Sequence, residues 1–323
     1  MCSLLHKDCL NLEAEGERCK ASLEAFTQSL IKRLSVPKNQ AERLYSYDRS
    51  RKAGNVYLYF PFCFADVFPN AAIDDLRTLS LSATLWMSQM RARDDALDRP
   101  GTADPCVLFL RDAYLRESLH LLYRFIPSDC KFWSLYSTYF DEYARAVLQE
   151  QDENLYADAT DDATFHRIAK GKAAMAKYPV AALAVLSGPE DKLPLLAEAL
   201  DCFHVGYQYW DDLIDWKEDL ETSKYSLVLA RAIGRIPLEK RSEQRDKLRA
   251  QVGRLIYYSG LAQQQLDEAF KWFERAYELS LTAGSIIWAE HVKGLQQQTV
   301  ALANDLRSIT SAKVSERTLA SSG

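Results

Sequence analysis

The sequence predicts an all-α protein that folds as one helical bundle. Its 323 residues include only 12 glycines and 10 prolines, a smaller share than globular proteins usually carry. Few points therefore force a helix to end, and apolar residues recur at helical spacing through most of the chain. Because no Gly/Ser-rich linker separates two halves, we expect one domain over 1–308 and a loose tail over 309–323.

About ten helices are predicted, and most of them end at a glycine or a proline. The second helix begins at Ile73, with Asp74 and Asp75 in its first turn, where acidic side chains suit the helix dipole. It ends at Asp98, just before Pro100-Gly101. The predicted helices span 12–34, 73–98, 105–126, 131–150, 161–187, 191–219, 223–234, 238–258, 261–281 and 284–308.

One aromatic stretch, from Asn55 to Phe68, has no clear period. It is compatible with a short strand, a tight turn or a helical segment.

Composition and charge exclude several classes of function. With 40 basic and 45 acidic residues, the net charge of -5 argues against a broad nucleic-acid surface. No apolar run approaches 18 residues and the N-terminus is polar, so we expect no stable membrane insertion and no signal peptide. Seven scattered cysteines without a CxxC motif favour reduced thiols and a cytoplasmic location. The five histidines lack zinc-ligand spacing.

A first acidic cluster, Asp94-Asp95-Ala96-Leu97-Asp98, ends the second predicted helix. Asp98 stands one turn beyond Asp94 and Asp95, so the three carboxylates share a face and repel by a few tenths of a kcal/mol per pair. A hard divalent cation such as Mg²⁺ takes oxygen ligands and bridges carboxylates to phosphates. The cluster is therefore a candidate metal site.

A second acidic cluster lies on the helix predicted over 191–219. Asp211, Asp215 and Asp219 follow one another at i+4 steps, and Gln208 precedes them by one turn. Solvated, salt-bridged helix faces explain one such triplet well. Two DDxxD patterns are expected by chance in roughly one in a hundred chains of this composition, which favours a functional interpretation.

At these residues the chain resembles the class I isoprenoid synthases, all-α enzymes in which two acidic motifs on facing helices hold Mg²⁺ and a substrate diphosphate. The first cluster matches the DDxxD of chain-elongating prenyltransferases, and Gly206-Tyr207-Gln208 with Asp211 to Asp215 is similar to their second motif. Lys170-Gly171-Lys172 resembles the helix that carries their diphosphate-binding lysine. The spacing of Asp215, Glu218 and Asp219 is equally similar to the squalene and phytoene synthases.

The resemblance implies a helical bundle around a central cavity, with both acidic motifs at its mouth. The implied metal ligands are Asp94, Asp95, Asp98, Asp211, Asp212, Asp215 and Asp219, and whether Asp212 or Glu218 with Asp219 completes the set stays open. Of these, the expected catalytic residues are Asp94, Asp98, Asp211 and Asp215. The expected substrate-binding residues are Arg93, Lys170, Lys172, Gln208, Lys224, Trp86, Tyr207 and Trp210.

The implied function is ionisation of a linear prenyl diphosphate of the farnesyl or geranylgeranyl class, with three Mg²⁺ ions, or Mn²⁺ as an alternative. The sequence lacks the early G-G-K-R-type segment of elongating enzymes, and only Arg99-Pro100-Gly101 follows the first motif. These departures favour a terpene cyclase. The alternatives are a prenyltransferase, chain-elongating or head-to-head, and a non-catalytic helical scaffold. The resemblance also leaves room for a homodimer.

Overall fold

The computed structural model describes residues 11–37, 39, 55–98, 105–151, 161–222, 224–237, 241 and 245–321. Throughout these residues the regular structure is helical, with eleven α-helices and four short 3-10 helices and no strand, which confirms the predicted fold class. The α-helices are α1 Leu12–Arg33, α2 Ile73–Asp98, α3 Pro105–Tyr123, α4 Phe132–Glu150, α5 Asp162–Lys172, α6 Tyr178–Ser187, α7 Leu193–Thr222, α8 Leu227–Gly234, α9 Arg245–Tyr258, α10 Leu261–Ala283 and α11 Ile286–Ser321.

The helix predicted over 161–187 is interrupted. In the structure α5 ends at Lys172, a 3-10 turn covers Ala174–Lys177, and α6 then begins at Tyr178. Pro179 accounts for the break, because a proline has no N–H to donate and fits only the first turn of a helix. The backbone from Ile309 is helical as far as Ser321, and the loose tail expected over 309–323 stays a prediction.

The aromatic stretch after Asn55 is helical in short pieces. Two 3-10 helices cover Asn55–Leu58 and Phe60–Phe64. Phe60, Phe62 and Phe64 are all buried, so these rings belong to the hydrophobic core of their part of the chain. Aromatic side chains at this density stabilise a fold by removing large apolar areas from water.

The chain divides into two compact units, the first comprising Met1–Tyr136 with Tyr178–Leu193, the second Ser137–Lys177 with Pro194–Gly323. The expectation of a single domain over 1–308 stays a prediction. In the first unit α2 packs against α1 and α3. A buried hydroxyl network ties this unit together, because Ser82 Oγ lies 2.9 Å from Ser118 Oγ and 3.0 Å from Tyr178 Oη.

In the second unit the C-terminal half of α7 packs into an apolar cluster shared with α8, α9 and α10. Leu213 and Trp216 are buried there, and Gly253 of α9 lets the Trp216 ring approach closely. The long pair α10 and α11 packs along its length. The acidic face of α7 is therefore supported from behind by a well-packed core. None of the helices in the described residues is long and apolar enough to span a membrane.

Gly171 provides a test of the packing of α5 on α4. A Cβ at this position would lie 2.4 Å from Ala146 Cβ and 3.1 Å from the carbonyl oxygen of Glu142. We expect Gly171→Ala to lower the free energy of unfolding by about 1–3 kcal/mol, because the overpacking outweighs the helix preference of alanine. Gly294→Ala is the matched control: nothing lies within 4 Å of its Cβ, so urea denaturation should show equal or higher stability. Equal effects of the two variants would contradict this packing.

Candidate active site

The first acidic cluster lies where a helix least favours negative charge. Asp94 is half-buried in the last turns of α2, and no basic residue lies in the final turn of that helix. The carboxyl end of a helix dipole is negative, so acidic groups there are disfavoured by about 0.3–1 kcal/mol each. Arg93 is also half-buried beside Asp94. The side chains of Asp95 and Asp98 lie outside the described residues, although their backbone is helical.

The second cluster forms a straight row of carboxylates, here called the acidic rail: Asp211, Asp215 and Asp219 of α7. Asp211 and Asp219 are half-buried and Asp215 is exposed. Burial, with repulsion from neighbouring carboxylates, raises the pKa of Asp211 to about 6 and that of Asp219 to about 8. Burial, followed by the charge of Glu218, also raises the pKa of Asp215. Full ionisation of the rail is therefore unfavourable in the folded protein, and a positively charged partner would offset that cost.

Asp212 differs from the rail in having both carboxylate oxygens engaged within the protein. It is 2% exposed; Oδ1 accepts a 2.7 Å hydrogen bond from Gln208 Nε2, and Oδ2 accepts a 2.8 Å bond from the backbone N–H of Leu227. Leu227 is the first residue of α8, whose N-cap, Ser226, makes no side-chain capping bond. Asp212, a residue of α7, therefore caps the N-terminus of α8, and the hydrogen bond from Gln208 holds its carboxylate in position. Burial raises the pKa of Asp212 to about 7.

Two lysines offset the negative charge of the rail. The charges of Lys172 and Lys224 both lower the pKa of Asp211, and that of Lys224 also lowers the pKa of Asp219. Lys172 Nζ lies 2.7 Å from Glu150 Oε1, a carboxylate that is nearly buried. The backbone N–H of Lys224 donates to the carbonyl of Asp219 and so fixes the residue at the end of α7. Two of the three predicted lysines, Lys172 and Lys224, thus act on the predicted carboxylates.

The other predicted substrate-binding residues are divided between surface and core. Lys170 places Nζ 5.4 Å from the centroid of the Trp272 ring, on the side of α5 opposite Lys172. Tyr207 is 37% exposed and lies one turn before Asp211 on the rail face, with its ring centroid 6.0 Å from that of half-buried Trp210. Trp86, in the first unit, is fully buried and packs edge-on against Tyr136, so it is a core residue there.

Two contacts of this region have no signal in the sequence. Glu150 pairs with Lys172 from the end of α4, 22 residues earlier in the chain. His166 of α5 makes a 2.8 Å hydrogen bond between Nε2 and the hydroxyl of Tyr209, which is buried on the reverse side of α7. The partners of each pair lie far apart in the sequence, so only the packing of the helices reveals the two contacts. The second contact fixes α5, which carries Lys172, against α7, which carries the rail.

The donor chemistry of the rail fits a hard divalent cation, but only in company with another ligand. Within the part of the chain that the structure describes, no set of three or more His, Cys, Asp or Glu side chains is arranged to hold a metal ion. Mg²⁺ is commonly bound by one or two carboxylates that share it with substrate phosphates. The rail is a row of carboxylates at 4-residue steps, and the pKa of each is raised. Such a row suits a metal ion shared with a substrate rather than one enclosed by protein ligands alone.

Comparisons with solved structures identify the fold. The chain is similar to a decaprenyl diphosphate synthase from Rhodobacter capsulatus, with a TM-score of 0.67 and 15% identity over 89% of this chain and 99% of that one. It is also similar to a polyprenyl synthase from Caulobacter crescentus, solved with calcium and isoprenyl diphosphate, with a TM-score of 0.66 and 16% identity over 90% and 97% of the two chains. A geranylgeranyl pyrophosphate synthase from Corynebacterium glutamicum, solved with the same two ligands, gives a TM-score of 0.66, 15% identity and coverage of 90% and 97%.

The chain therefore shares the all-helical fold of these prenyl synthases, and the fold that the resemblance implies is confirmed. No protein-family model matches the sequence, and no curated protein matches it either.

Asp212 allows capping to be separated from ligand binding. We expect Asp212→Ala to lower the free energy of unfolding by about 1–3 kcal/mol, because it leaves the buried Leu227 N–H without an acceptor. Asp212→Asn retains an acceptor oxygen and should cost much less. Chemical denaturation of both variants measures the difference. A harmless alanine, or an asparagine as damaging as alanine, would show that Asp212 does not cap α8.

The raised pKa values of the rail predict a pH dependence of stability in metal-free buffer. A carboxyl with a raised pKa holds its proton in the folded protein at pH values where the unfolded chain has released it. The folded state then binds more protons, so the free energy of unfolding falls as the pH rises from about 4 to about 8. Asp219→Asn should flatten the upper part of this fall, whereas Asp267→Asn, an exposed position of α10, should leave it unchanged. Melting curves between pH 5 and 8 measure both slopes, and identical slopes would contradict the assignment.

Proposed function

We propose that the protein is a divalent-metal-dependent prenyltransferase that transfers an allylic prenyl group from its diphosphate to a second isoprenoid substrate. The observation that carries the proposal is the acidic rail, offset by Lys172 and Lys224, on a chain with the class I isoprenoid synthase fold. The similar solved structures are prenyl diphosphate synthases, and two of them were solved with calcium and isoprenyl diphosphate. They favour transfer over the cyclisation that the sequence alone ranks first.

In this proposal the rail and the lysines hold the diphosphate group from two sides. Asp211, Asp215 and Asp219 would share divalent cations with its oxygens, while the metal-ligand role of Asp94, in the first unit, stays a prediction. Lys172 would exchange its contact with Glu150 for one with the diphosphate, since both partners offer anionic oxygen to the same ammonium group. Asp212 contributes by fixing the start of α8 rather than by binding metal.

Magnesium, when bound, acts as a Lewis acid that stabilises the departing diphosphate. The residues of the chain supply the remaining parts of the site. Tyr207 lies on the same helical face as the rail, one turn towards the start of α7, so a prenyl group whose diphosphate meets Asp211 would extend over this ring. Aromatic faces attract positive charge and exclude water, which protects a carbocation as the diphosphate leaves.

A second candidate is a terpene cyclase that uses one prenyl diphosphate alone. The sequence favours it in one respect: an elongating enzyme holds a second diphosphate, and the G-G-K-R-type segment that serves this purpose in the resembling enzymes is lacking. Two polyanions in one site repel strongly unless fixed cations separate them. The basic run Arg49-Ser50-Arg51-Lys52, the nearest equivalent in the sequence, lies outside the described residues.

Product analysis distinguishes the two candidates. We expect geranyl, farnesyl or geranylgeranyl diphosphate to give a longer diphosphate when isopentenyl diphosphate and Mg²⁺ are present, with no reaction in chelator. Asp211→Ala should reduce turnover at least 100-fold, because it removes a proposed metal contact, while Asp267→Ala should not. A cyclic hydrocarbon or alcohol formed without isopentenyl diphosphate would favour the cyclase. Unchanged turnover in Asp211→Ala would contradict both candidates.

A further inference from the structure

A glutamate at the end of α4 lies beside the lysine that the proposed function assigns to the diphosphate. Glu150 is the last residue of α4, and Lys172 is the last residue of α5. The two helices approach closely here, since a Cβ on Gly171 would lie 2.4 Å from the Cβ of Ala146, one turn before Glu150. Lys172 Nζ lies 2.7 Å from Glu150 Oε1, with 20% of the lysine side chain and 10% of the glutamate side chain exposed.

Helix stability does not explain a carboxylate at the position of Glu150. The carboxyl end of a helix dipole is negative, so an acidic group there is unfavourable, and the final turn of α4 contains no basic residue. Lys172 lies in the last turn of α5, where a cation is favourable. A lysine between the C-terminal ends of two helices would therefore be stabilising without the glutamate. The charge of Glu150 needs another explanation.

Carboxyl groups outnumber the lysines in this part of the second unit. The charge of Lys172 lowers the pKa of Asp211 and that of Asp212, so its ammonium group lies near the start of the acidic rail as well as beside Glu150. Lys224 also lowers the pKa of Asp211. These two lysines face the carboxyl groups of the rail, of Asp212 and of Glu150. Glu150 thus adds negative charge at the point where the proposed substrate brings more.

A diphosphate that binds Lys172 competes directly with Glu150. The carboxylate oxygen occupies one of the three donor positions of the ammonium group, and a phosphate oxygen is the same kind of acceptor. A free diphosphate is a polyanion, so the carboxylate also repels it at short range. Each divalent cation bound to the diphosphate lowers its negative charge and weakens that repulsion. Glu150 therefore opposes the binding of free diphosphate more than that of its metal complex.

We propose that Glu150 makes the site selective for the metal complex of a diphosphate over the free anion. The glutamate holds Lys172 until a diphosphate of reduced negative charge replaces it. A diphosphate bound without metal lacks the Lewis acid that stabilises its departure, so this selectivity keeps the site clear of unproductive complexes. The inference rests on the proposed function and deepens it, because it names the form of the substrate that the site accepts.

Calorimetric titration of inorganic diphosphate into the full-length protein, with Mg²⁺ and with chelator, measures this selectivity as the ratio of two affinities. Glu150→Gln keeps the size of the side chain and an acceptor for Lys172, but it removes the negative charge. We expect the variant to bind free diphosphate at least about 10-fold more tightly than the natural protein does. Its affinity for the Mg²⁺ complex should change by no more than about 3-fold, because the charge of that complex is lower.

Glu142→Gln is the matched control. Glu142 lies about two turns earlier on α4 and pairs with Lys177 at 2.9 Å, so the variant removes the same charge from a similar ion pair. It should leave the ratio of affinities unchanged, and Glu150→Asp, which keeps the charge, should retain the selectivity. Adding Lys172→Ala to Glu150→Gln should remove the gained binding of free diphosphate, because the lysine is its expected contact. Circular dichroism checks that each variant folds.

The outcomes separate this inference from the proposed function. An unchanged ratio in Glu150→Gln, or an equal fall in Glu142→Gln, would overturn the inference while the function stands. Weaker binding of the Mg²⁺ complex without any gain for free diphosphate would show that Glu150 has only a structural role. If Glu150→Gln does not fold, Glu150→Ala removes the same charge, and loss of folding in both would also indicate a structural residue. Absence of Mg²⁺-dependent binding by the natural protein would instead contradict the proposed function.

Discussion

Burial of the carboxylates of the acidic rail, reinforced by the charges of neighbouring carboxylates, is the constraint on which the site depends. Asp211, Asp215 and Asp219 occupy one face of a single helix, and burial first, then repulsion from nearby acidic groups, opposes their ionisation. The core behind α7, built around Leu213 and Trp216, holds that helix in place despite the repulsion. Such a row of carboxylates, offset only in part by Lys172 and Lys224, suits the external cation that the proposed function requires.

The contacts around the rail offset its negative charge only in part. Lys172 is shared between Glu150 and the rail, and Lys224 is fixed by a backbone hydrogen bond to Asp219. Asp212, next to the rail in sequence, is withdrawn into the protein, where it caps α8. Two adjacent aspartates therefore serve different purposes: one supports the fold, while its neighbour remains on the accessible face.

Much of this arrangement could be predicted from the sequence, because it rests on helical periodicity. The i+4 spacing of the rail and the scarcity of glycine and proline are local features, and both predict what the structure contains. The partner of Asp212 could not be predicted, since Leu227 follows it by 15 residues across a turn. The pairing of Glu150 with Lys172 likewise depends on how helices pack, whereas the break before Pro179 has a local cause in the proline itself. The choice between transfer and cyclisation depends on the path of a second substrate, which no local spacing encodes.

The most direct measurement is calorimetric titration of inorganic diphosphate into the protein with Mg²⁺ and with chelator. If the rail shares its metal ions with phosphate oxygens, diphosphate should bind only when Mg²⁺ is present, and Asp211→Asn with Asp215→Asn should abolish that binding while the protein remains folded. Equal binding in chelator, or unchanged Mg²⁺-dependent binding in the double variant, would contradict the central claim.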